Sequence, residues 1–324
     1  MSLNQRLAII IGYSGQDGIL LGEELSNSGT RIVGLDKDKV YCSYDDISQD
    51  LNHIDITCLQ DVIELVEKYQ PTEIYYLAAF HHSSQDTIDI TPLDFYQECY
   101  SVHVAGLINF LEAIRIGHFK ARLFYASSSL IFSGNSISNV TEKSPYNPIG
   151  FYAMTKVAGM YLCKEYRESY QIFASTGILF NHESALRHPS YLSQKIIRAA
   201  IRISEGSDEN LIIGDLKAKV DWGYAPDYVK AFYEILNCNE SDDFIVASGE
   251  AHSVEEFVEL VFNYFNLDWR KYVQENHSIL SRRLAAKIGN TLHLRNHTAW
   301  SYSKTFEEMV KQLIRDTQIL LKIS

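Results

Sequence analysis

Short apolar runs alternate with amphipathic stretches along the first half of the chain. Apolar runs predict buried strands at Leu7–Ile11, Arg31–Leu35, Ile74–Ala79, Leu123–Ala126 and Ala174–Phe180. Apolar residues at helical spacing between them predict helices over Ile19–Leu25, Asp61–Tyr69, Tyr100–Arg115 and Tyr152–Tyr170. Because strands that alternate with helices through short links pair in parallel, the pattern predicts an α/β fold with a doubly wound parallel sheet.

The pattern changes beyond Asn181. Helices are predicted at Ser190–Glu205, Asp227–Leu236, Val254–Phe265 and Phe306–Leu321, and short strands at Leu211–Gly214 and Val220–Trp222. We therefore predict a sheet domain over residues 1–180, to which residues 223–250 return, and a smaller lobe formed by residues 181–222 and 251–324. Such a lobe would cover the carboxyl-terminal edge of the sheet, where open α/β sheets bind their ligands.

Composition narrows the class of partner. The chain has 324 residues and a net charge of -12, from 41 acidic and 29 basic residues. This balance argues against nucleic acid or a membrane surface as the main partner and favours a small molecule. Five scattered cysteines without metal-ligand spacing predict free thiols, a reducing cytoplasm and no metal site. The apolar run Leu7–Ile11 is too short for a signal peptide or a membrane span.

The first predicted strand leads into the turn GYSGQDG at 12–18, and a helix follows. In this context a GxxGxxG pattern is typical of a dinucleotide site, because glycine backbone and a helix N-terminus meet the pyrophosphate. The alternative is a tight turn without a ligand. For Asp55, which could face the adenine, the alternative is a helix cap with Thr57. The residues predicted to bind the cofactor, along the chain, are Gly12, Gly15, Gln16, Asp17, Gly18, Asp36, Asp55, Ile56, Leu77, Ala78, Ala79, Tyr152, Lys156 and Leu179.

Asp36 ends the second predicted strand, eighteen residues beyond Gly18. An acid at this position can accept hydrogen bonds from a ribose 2′-hydroxyl and repels a 2′-phosphate, which favours NAD over NADP. Lys37 and Lys39 could instead meet a phosphate. The alternative for Asp36 is a residue that caps a turn.

Tyr152 and Lys156 are four residues apart on a predicted helix and therefore share one face. A lysine ammonium beside a phenol favours the phenolate, so we expect Lys156 to lower the pKa of Tyr152. Such a tyrosine can take the proton of a sugar hydroxyl while a nicotinamide takes the hydride. Ser128, at the end of a predicted strand, can hold the same hydroxyl. On most helices a tyrosine and a lysine at this spacing are simply exposed to solvent. The catalytic interpretation of Tyr152 and Lys156 therefore depends on the glycine-rich turn earlier in the chain.

These residues resemble the extended short-chain dehydrogenases/reductases and, more narrowly, the GDP-mannose 4,6-dehydratase family, from Leu7 to Val310. The stretches that carry the resemblance include GYSGQDG at 12–18, LEAI at 111–114, YRESY at 166–170, GILFNHES at 177–184 and DWGYAPDYV at 221–229. The resemblance implies a Rossmann-type fold, a nicotinamide cofactor and a GDP-sugar substrate. It also implies a homodimer or a tetramer, built through the helices near 100–115 and 152–170.

The chain departs from the family pattern at Leu130. The family has a glutamate there, which handles the C5 proton and the leaving C6 hydroxyl during 4,6-dehydration. Because leucine cannot move a proton, we expect oxidation at C4 to survive and the loss of water to be absent. His81, His82 or Glu142 could take over the role of the glutamate.

Three further departures concern binding. Val220 stands where the family has an arginine that would contact the diphosphate. Asp36-Lys37-Asp38 replaces a basic run suited to NADP. The segment after Arg282-Arg283 is rearranged. The predicted substrate-binding residues are His81, Ser129, Asn181, Glu183, Arg187, Lys195, Arg282 and Arg283.

Three hypotheses describe the function. The first is an NAD-dependent enzyme that removes hydride from C4 of a GDP-mannose-like substrate, as a 4-dehydrogenase, epimerase or reductase, with Ser128, Tyr152 and Lys156 as the catalytic residues. The second is a GDP-mannose 4,6-dehydratase with a displaced acid–base group. The third is a binding protein for NAD or a sugar nucleotide that catalyses nothing, which would have no need of the Ser-Tyr-Lys set.

Overall fold

The computed structural model describes residues 6–37, 39–43, 54–81, 90–280 and 285–323. Its strands are β1 (Leu7–Ile11), β2 (Arg31–Asp36), β3 (Lys39–Cys42), β4 (Glu73–Tyr76), β5 (Arg122–Ser128), β6 (Asn139–Val140), β7 (Ala174–Leu179), β8 (Asn181–Glu183), β9 (Leu211–Ile213), β10 (Lys219–Tyr224), β11 (Asp243–Val246), β12 (Ala251–Ser253), β13 (Val273–Glu275) and β14 (Ile288–Gly289). Its helices are α1 (Gln16–Asn27), α2 (Leu59–Tyr69), α3 (Pro92–Tyr100), α4 (Gly106–Ile116), α5 (Phe151–Tyr170), α6 (Leu192–Ser204), α7 (Ala225–Leu236), α8 (Val254–Tyr264), α9 (Leu292–His297) and α10 (Phe306–Ile323).

Seven strands form the main sheet, in the order β11-β7-β5-β4-β1-β2-β3. The predicted doubly wound, Rossmann-type sheet is confirmed: its neighbours pair in parallel, except that β3 runs antiparallel to β2 at one edge. The alternation of side chains in β1 shows why the sheet is covered on both faces. Ile9 and Ile11 enter one core, with α2, α4 and α5, whereas Ala8 and Ile10 enter the other, with α1 and α7.

Several predicted boundaries are wrong, and two of these differences change the course of the chain near the sheet edge. The strand predicted to end at Ala79 ends at Tyr76, so that the small residues after it leave the sheet. The helix predicted from Tyr100 begins at Pro92 and is interrupted by a wide turn at Ser101–Ala105 before α4. Thr91 explains the early start, because its side chain accepts a hydrogen bond from the Asp94 backbone N–H and a proline follows it.

The chain beyond Asn181 supplies both the lobe and part of the sheet. Helices α6, α8 and α10 enclose a third core that contains Ile197, Phe257 and Leu313. By contrast, α7 packs beside α1, and β11 pairs with β7 in the main sheet. None of the helices in the described ranges combines the length and the apolar composition needed to cross a bilayer.

Asp221, on the lobe strand β10, binds the loop after β11 and strand β14. Its buried carboxylate accepts hydrogen bonds from the backbone N–H groups of Ser248 at 2.9 Å, Gly249 at 3.2 Å and Gly289 at 3.1 Å, and from the Ser248 hydroxyl at 2.6 Å. We expect Asp221→Leu to lower the free energy of unfolding by about 3 kcal/mol, because it leaves four donors, among them the buried Gly289 N–H, without this acceptor. Denaturant unfolding of this variant beside Asp221→Asn, which keeps one acceptor oxygen, measures the effect. Equal stability of Asp221→Leu and the wild type would refute this role.

Candidate active site

A cavity of about 1160 Å³ lies at the carboxyl-terminal edge of the sheet, beneath the lobe. Successive sheet strands contribute to its wall where they end: Gly12 follows β1, Asp36 ends β2, Leu77 follows β4, Ser128 ends β5 and Leu179 ends β7. Ligand pockets usually measure roughly 300–1,000 Å³. The cavity therefore has room for a dinucleotide and a second molecule side by side.

The glycine-rich turn closes one end of this cavity. Gly12 has a φ of +88°, and a Cβ on it would lie 2.8 Å from the backbone nitrogen of Ala78. A Cβ on Gly18 would lie 2.4 Å from the Gly12 carbonyl oxygen. Only glycine lets the turn fold this tightly against the residues that follow β4. The backbone and the N-terminus of α1 thus face the cavity, as a pyrophosphate requires.

Asp36 is held by the same turn. Its carboxylate accepts hydrogen bonds from the Ser14 backbone N–H at 3.0 Å, from the Ser14 hydroxyl and from the Lys37 backbone N–H at 2.7 Å. It therefore does cap a turn, the alternative raised from the sequence, and it also lines the cavity. Asp55 is similar: it lines the cavity while its carboxylate accepts from the backbone N–H and hydroxyl of Thr57, at 2.8 and 2.7 Å.

Ser128, Tyr152 and Lys156 meet in the wall of the cavity. Ser128 is the last residue of β5, and its hydroxyl accepts a hydrogen bond from the Leu130 backbone N–H at 3.3 Å. Tyr152 and Lys156 lie on successive turns at the start of α5. Lys156 is only 1% exposed, and its Nζ donates to the Ala126 carbonyl at 2.7 Å. The three residues predicted to be catalytic thus line one cavity, with the Lys156 amine 5.7 Å from the centre of the Tyr152 ring.

The expectation that Lys156 lowers the pKa of Tyr152 is wrong. Burial raises the pKa of Tyr152, against the smaller lowering by the Ser128 hydrogen bond and the Arg187 guanidinium. Burial also lowers the pKa of Lys156 to about 7, so its charge is only partly present at neutral pH. The Lys156 Nζ lies 5.7 Å from the centre of the Tyr152 ring and is directed to a carbonyl. Arg187 is therefore the cation that favours the phenolate.

Leu130 lines the cavity directly after Ser128 and Ser129. The three groups considered as substitutes for the family's glutamate have different positions. His81 lines the cavity beside Tyr152. Glu142 lies in a separate cavity, where its carboxylate accepts from the Ile245 backbone N–H at 2.8 Å, so it cannot take over the role. His82 lies outside the described residues.

Most of the predicted binding residues line this one cavity. They are Gly15, Gln16, Asp17, Ile56, Ala78, Ala79, His81, Ser129, Asn181, Glu183 and Arg187. Lys195 does not line the cavity. It lies in the first turn of α6, and its Nζ donates to the Ile212 carbonyl at 2.9 Å. Arg282 and Arg283 lie outside the described residues. Val220, at the position of the family's arginine, lines the cavity.

His182 is a cavity residue that the sequence interpretation missed. Its Nε2 lies 2.9 Å from the Asp17 carboxylate in the glycine-rich turn, and its Nδ1 donates to the Phe180 carbonyl at 2.6 Å. Although burial opposes both charges, the pair raises the pKa of His182 and lowers the pKa of Asp17. His182 thereby offsets a negative charge at the N-terminus of α1, where an anionic ligand would sit. The stretch GILFNHES contains the residue, but nothing in the sequence pairs it with a residue 165 positions away.

Comparisons with known proteins agree with the fold and the motifs. The family model described as GDP-mannose 4,6 dehydratase matches residues 9–313. The chain is 31% identical to GDP-mannose 4,6 dehydratase 2 of Arabidopsis thaliana, over 98% of this chain and 88% of that protein.

Two solved structures share the fold. One is RMD from Pseudomonas aeruginosa complexed with NADPH, with a TM-score of 0.79 and 18% identity, covering 97% of this chain and all (100%) of the other. The second is dTDP-glucose 4,6-dehydratase from Bacillus anthracis in complex with NAD, with a TM-score of 0.81 and 16% identity, covering 98% of each chain. The chain therefore has the same fold as these two proteins.

Proposed function

Because this chain belongs to the GDP-mannose 4,6 dehydratase family, we propose that it is an NAD-dependent enzyme that removes hydride from C4 of a GDP-mannose-like sugar nucleotide. It would act as a 4-dehydrogenase or an epimerase, or, with the same transfer in reverse, as a reductase of a 4-keto sugar nucleotide. The observation that carries this proposal is the wall of the cavity, where Ser128, Tyr152 and Lys156 are retained and the next position in the motif is Leu130.

The retained residues have defined tasks in this reaction. Ser128 orients the C4 hydroxyl, and Tyr152 takes its proton. The Lys156 amine would bind the ribose of the nicotinamide, and Arg187 favours the phenolate of Tyr152. When bound, the nicotinamide supplies an acceptor for the hydride. The chain itself supplies a proton acceptor and a fixed orientation of the hydroxyl.

A 4,6-dehydration of the family type needs an acid–base group at the position that Leu130 occupies. A general acid–base residue is worth roughly 100- to 10,000-fold in rate. The Leu130 side chain cannot exchange a proton, so the proposed reaction stops short of expelling water. The second candidate, a dehydratase with a displaced acid–base group, is supported by the matched family and by the position of His81 in the cavity.

The direct test of C4 oxidation is a single-turnover experiment with the full chain, NAD and GDP-mannose. We expect the absorbance of reduced nicotinamide to appear, lastingly for a dehydrogenase and transiently if the hydride returns to C4, and we expect deuterium at C4 of the sugar to slow its appearance. The absence of reduced nicotinamide at every time point would contradict the proposal.

We propose NAD rather than NADP as the cofactor because the Asp36 carboxylate faces the cavity. Two unit charges about 4 Å apart interact by roughly 1–4 kcal/mol between bulk water and a protein surface. We therefore expect Asp36→Asn to improve NADP binding relative to NAD by about tenfold, since it removes the repulsion of a 2′-phosphate. Fluorescence titration with each dinucleotide measures the ratio. Lys37→Gln is the companion variant: a loss of NADP binding in it alone would assign the phosphate contact to Lys37 instead.

A homodimer is proposed from an apolar face on α3 and α5. Its exposed large side chains are Leu93, Tyr96, Tyr100, Phe151, Met154 and Tyr161. The Tyr96 and Phe151 rings lie 5.2 Å apart, so the two helices present a continuous surface. We expect light scattering to give a dimer for the wild type and a monomer for Met154→Glu. Ile319 is also exposed but lies on α10, away from this face, so Ile319→Glu should stay dimeric. A monomeric wild type at micromolar concentration would exclude this interface.

The proposed setting is the cytoplasm. All five cysteines are free thiols, which is the state favoured by a reducing compartment.

A further inference from the structure

His81 occupies a position from which it can move a proton on the sugar. We propose that His81 is a second acid–base group, which exchanges the proton on a sugar carbon next to the oxidised C4, so that the reaction inverts that carbon. This inference rests on the proposed C4 oxidation and specifies the next chemical step on the sugar.

The His81 ring packs edge-on against the proposed base. Its centre lies 4.4 Å from the centre of the Tyr152 ring, and both side chains line the cavity. The C4 hydroxyl must meet the Tyr152 phenol, so the carbons on either side of C4 lie in the part of the cavity next to that ring. His81 borders this part of the cavity, and Leu130 also lines the wall, after Ser128.

Hydrogen bonds hold the His81 side chain and the backbone of the residue before it. Its Nδ1 lies 3.1 Å from the Tyr191 hydroxyl, and the Arg187 guanidinium stacks 4.1 Å above the Tyr191 ring. The residue before it, Phe80, donates its backbone N–H to Nε2 of the buried His103 at 3.0 Å. A backbone N–H can only donate, so His103 must be neutral with its lone pair on Nε2. An imidazole fixed in this way has the orientation that general acid–base catalysis needs.

Two other ionisable groups in the described cavity wall, Glu183 and Lys156, have polar partners in the structure. The Glu183 carboxylate accepts from the Ser193 hydroxyl at 2.5 Å and lies 3.7 Å from the Arg187 guanidinium. The Lys156 amine donates to a backbone carbonyl. Glu98 lines the cavity from α3. Its carboxylate is the alternative to His81 as the group that exchanges the proton.

The proposed step balances without another reactant. Once C4 is a ketone, the hydrogen on the adjacent carbon is acidic, because the electron pair left behind is delocalised as an enolate. His81 takes this proton and releases it to solvent, and a solvent proton returns to the opposite face of the same carbon. The hydride then returns to C4 and Tyr152 gives back its proton. The sugar has lost neither electrons nor water, and one stereocentre is inverted.

The test uses the full chain with NAD and GDP-mannose in D₂O, and the sugar nucleotide is then analysed by NMR and mass spectrometry. We expect the wild type to incorporate solvent deuterium at C3 or C5. The ratio of this exchange to single-turnover NAD reduction should fall about 100-fold or more in His81→Phe. His81→Gln is measured in parallel, so that a folding defect in one variant does not decide the result. His188→Phe, at an exposed histidine outside the cavity wall, should keep the wild-type ratio.

Three results overturn the inference while leaving C4 oxidation intact. In the first, the wild type reduces NAD but incorporates no deuterium. In the second, both His81 variants keep the wild-type ratio. In the third, Glu98→Gln loses the exchange and the His81 variants do not, which assigns the role to Glu98. A wild type that neither reduces NAD nor exchanges deuterium contradicts the proposed function itself.

Discussion

Replacing Leu130 by glutamate should give the enzyme a dehydratase activity that the wild type lacks. The substitution places a carboxylate in the cavity wall after Ser128 and Ser129. There it could remove the C5 proton of a 4-keto intermediate and protonate the leaving C6 hydroxyl. Because a general acid–base group contributes roughly 100- to 10,000-fold, we expect Leu130→Glu to form the dehydrated product at least about 100 times faster than the wild type. Mass spectrometry of the sugar nucleotide measures it.

The matched control is Leu130→Gln. Glutamine has nearly the same size and polarity as glutamate but does not ionise, so it should stay as inactive in dehydration as leucine. If Leu130→Glu oxidises C4 and still expels no water, then the leucine is not what prevents elimination. If the glutamine variant also dehydrates, the gain comes from space or polarity rather than from proton transfer.

Removing the Tyr152 hydroxyl should abolish hydride transfer. The phenylalanine ring keeps the packing of the tyrosine against His81 and His103, whose ring centres lie 4.4 and 5.2 Å away. We therefore expect Tyr152→Phe to bind NAD almost as tightly as the wild type, while the rate of NAD reduction falls about 100- to 10,000-fold. Dinucleotide titration and stopped-flow absorbance separate the two effects.

Tyr170→Phe serves as the control for this substitution. Tyr170 lies on the same helix but is 49% exposed and outside the cavity lining, so the loss of its hydroxyl should leave both measurements unchanged. Persistent NAD reduction in Tyr152→Phe would show that another group accepts the proton. A large loss of NAD affinity would instead show that the phenol holds the cofactor rather than the substrate hydroxyl.

The sequence predicted those features that depend on spacing along the chain. Apolar runs located strands β1, β2, β5 and β7, since buried parallel strands need continuous apolar residues. The glycine spacing located the turn before α1, and the four-residue spacing of Tyr152 and Lys156 put both into one wall. The antiparallel edge strand β3 was missed, because its four residues, Lys39–Cys42, carry no such pattern.

Features that depend on burial or on distant partners could not be predicted in this way. Lys195 was expected at the ligand, yet its amine donates to the Ile212 carbonyl, because the direction of a long side chain depends on its neighbours. The pKa of Tyr152 was expected to fall, yet burial raises it. The contact between Asp17 and His182 joins the glycine-rich turn to the GILFNHES stretch, and no pattern in the sequence indicates that the two touch. Each of these corrections required three-dimensional packing.

The central claim is that this enzyme oxidises a sugar hydroxyl without expelling water. The most direct measurement is the intact mass of the sugar nucleotide after the wild-type protein has acted on GDP-mannose with NAD. The account predicts a product that has kept all of its oxygen atoms, whether it is oxidised at C4 or an isomer of the substrate. A product lighter than the substrate by one molecule of water would contradict it.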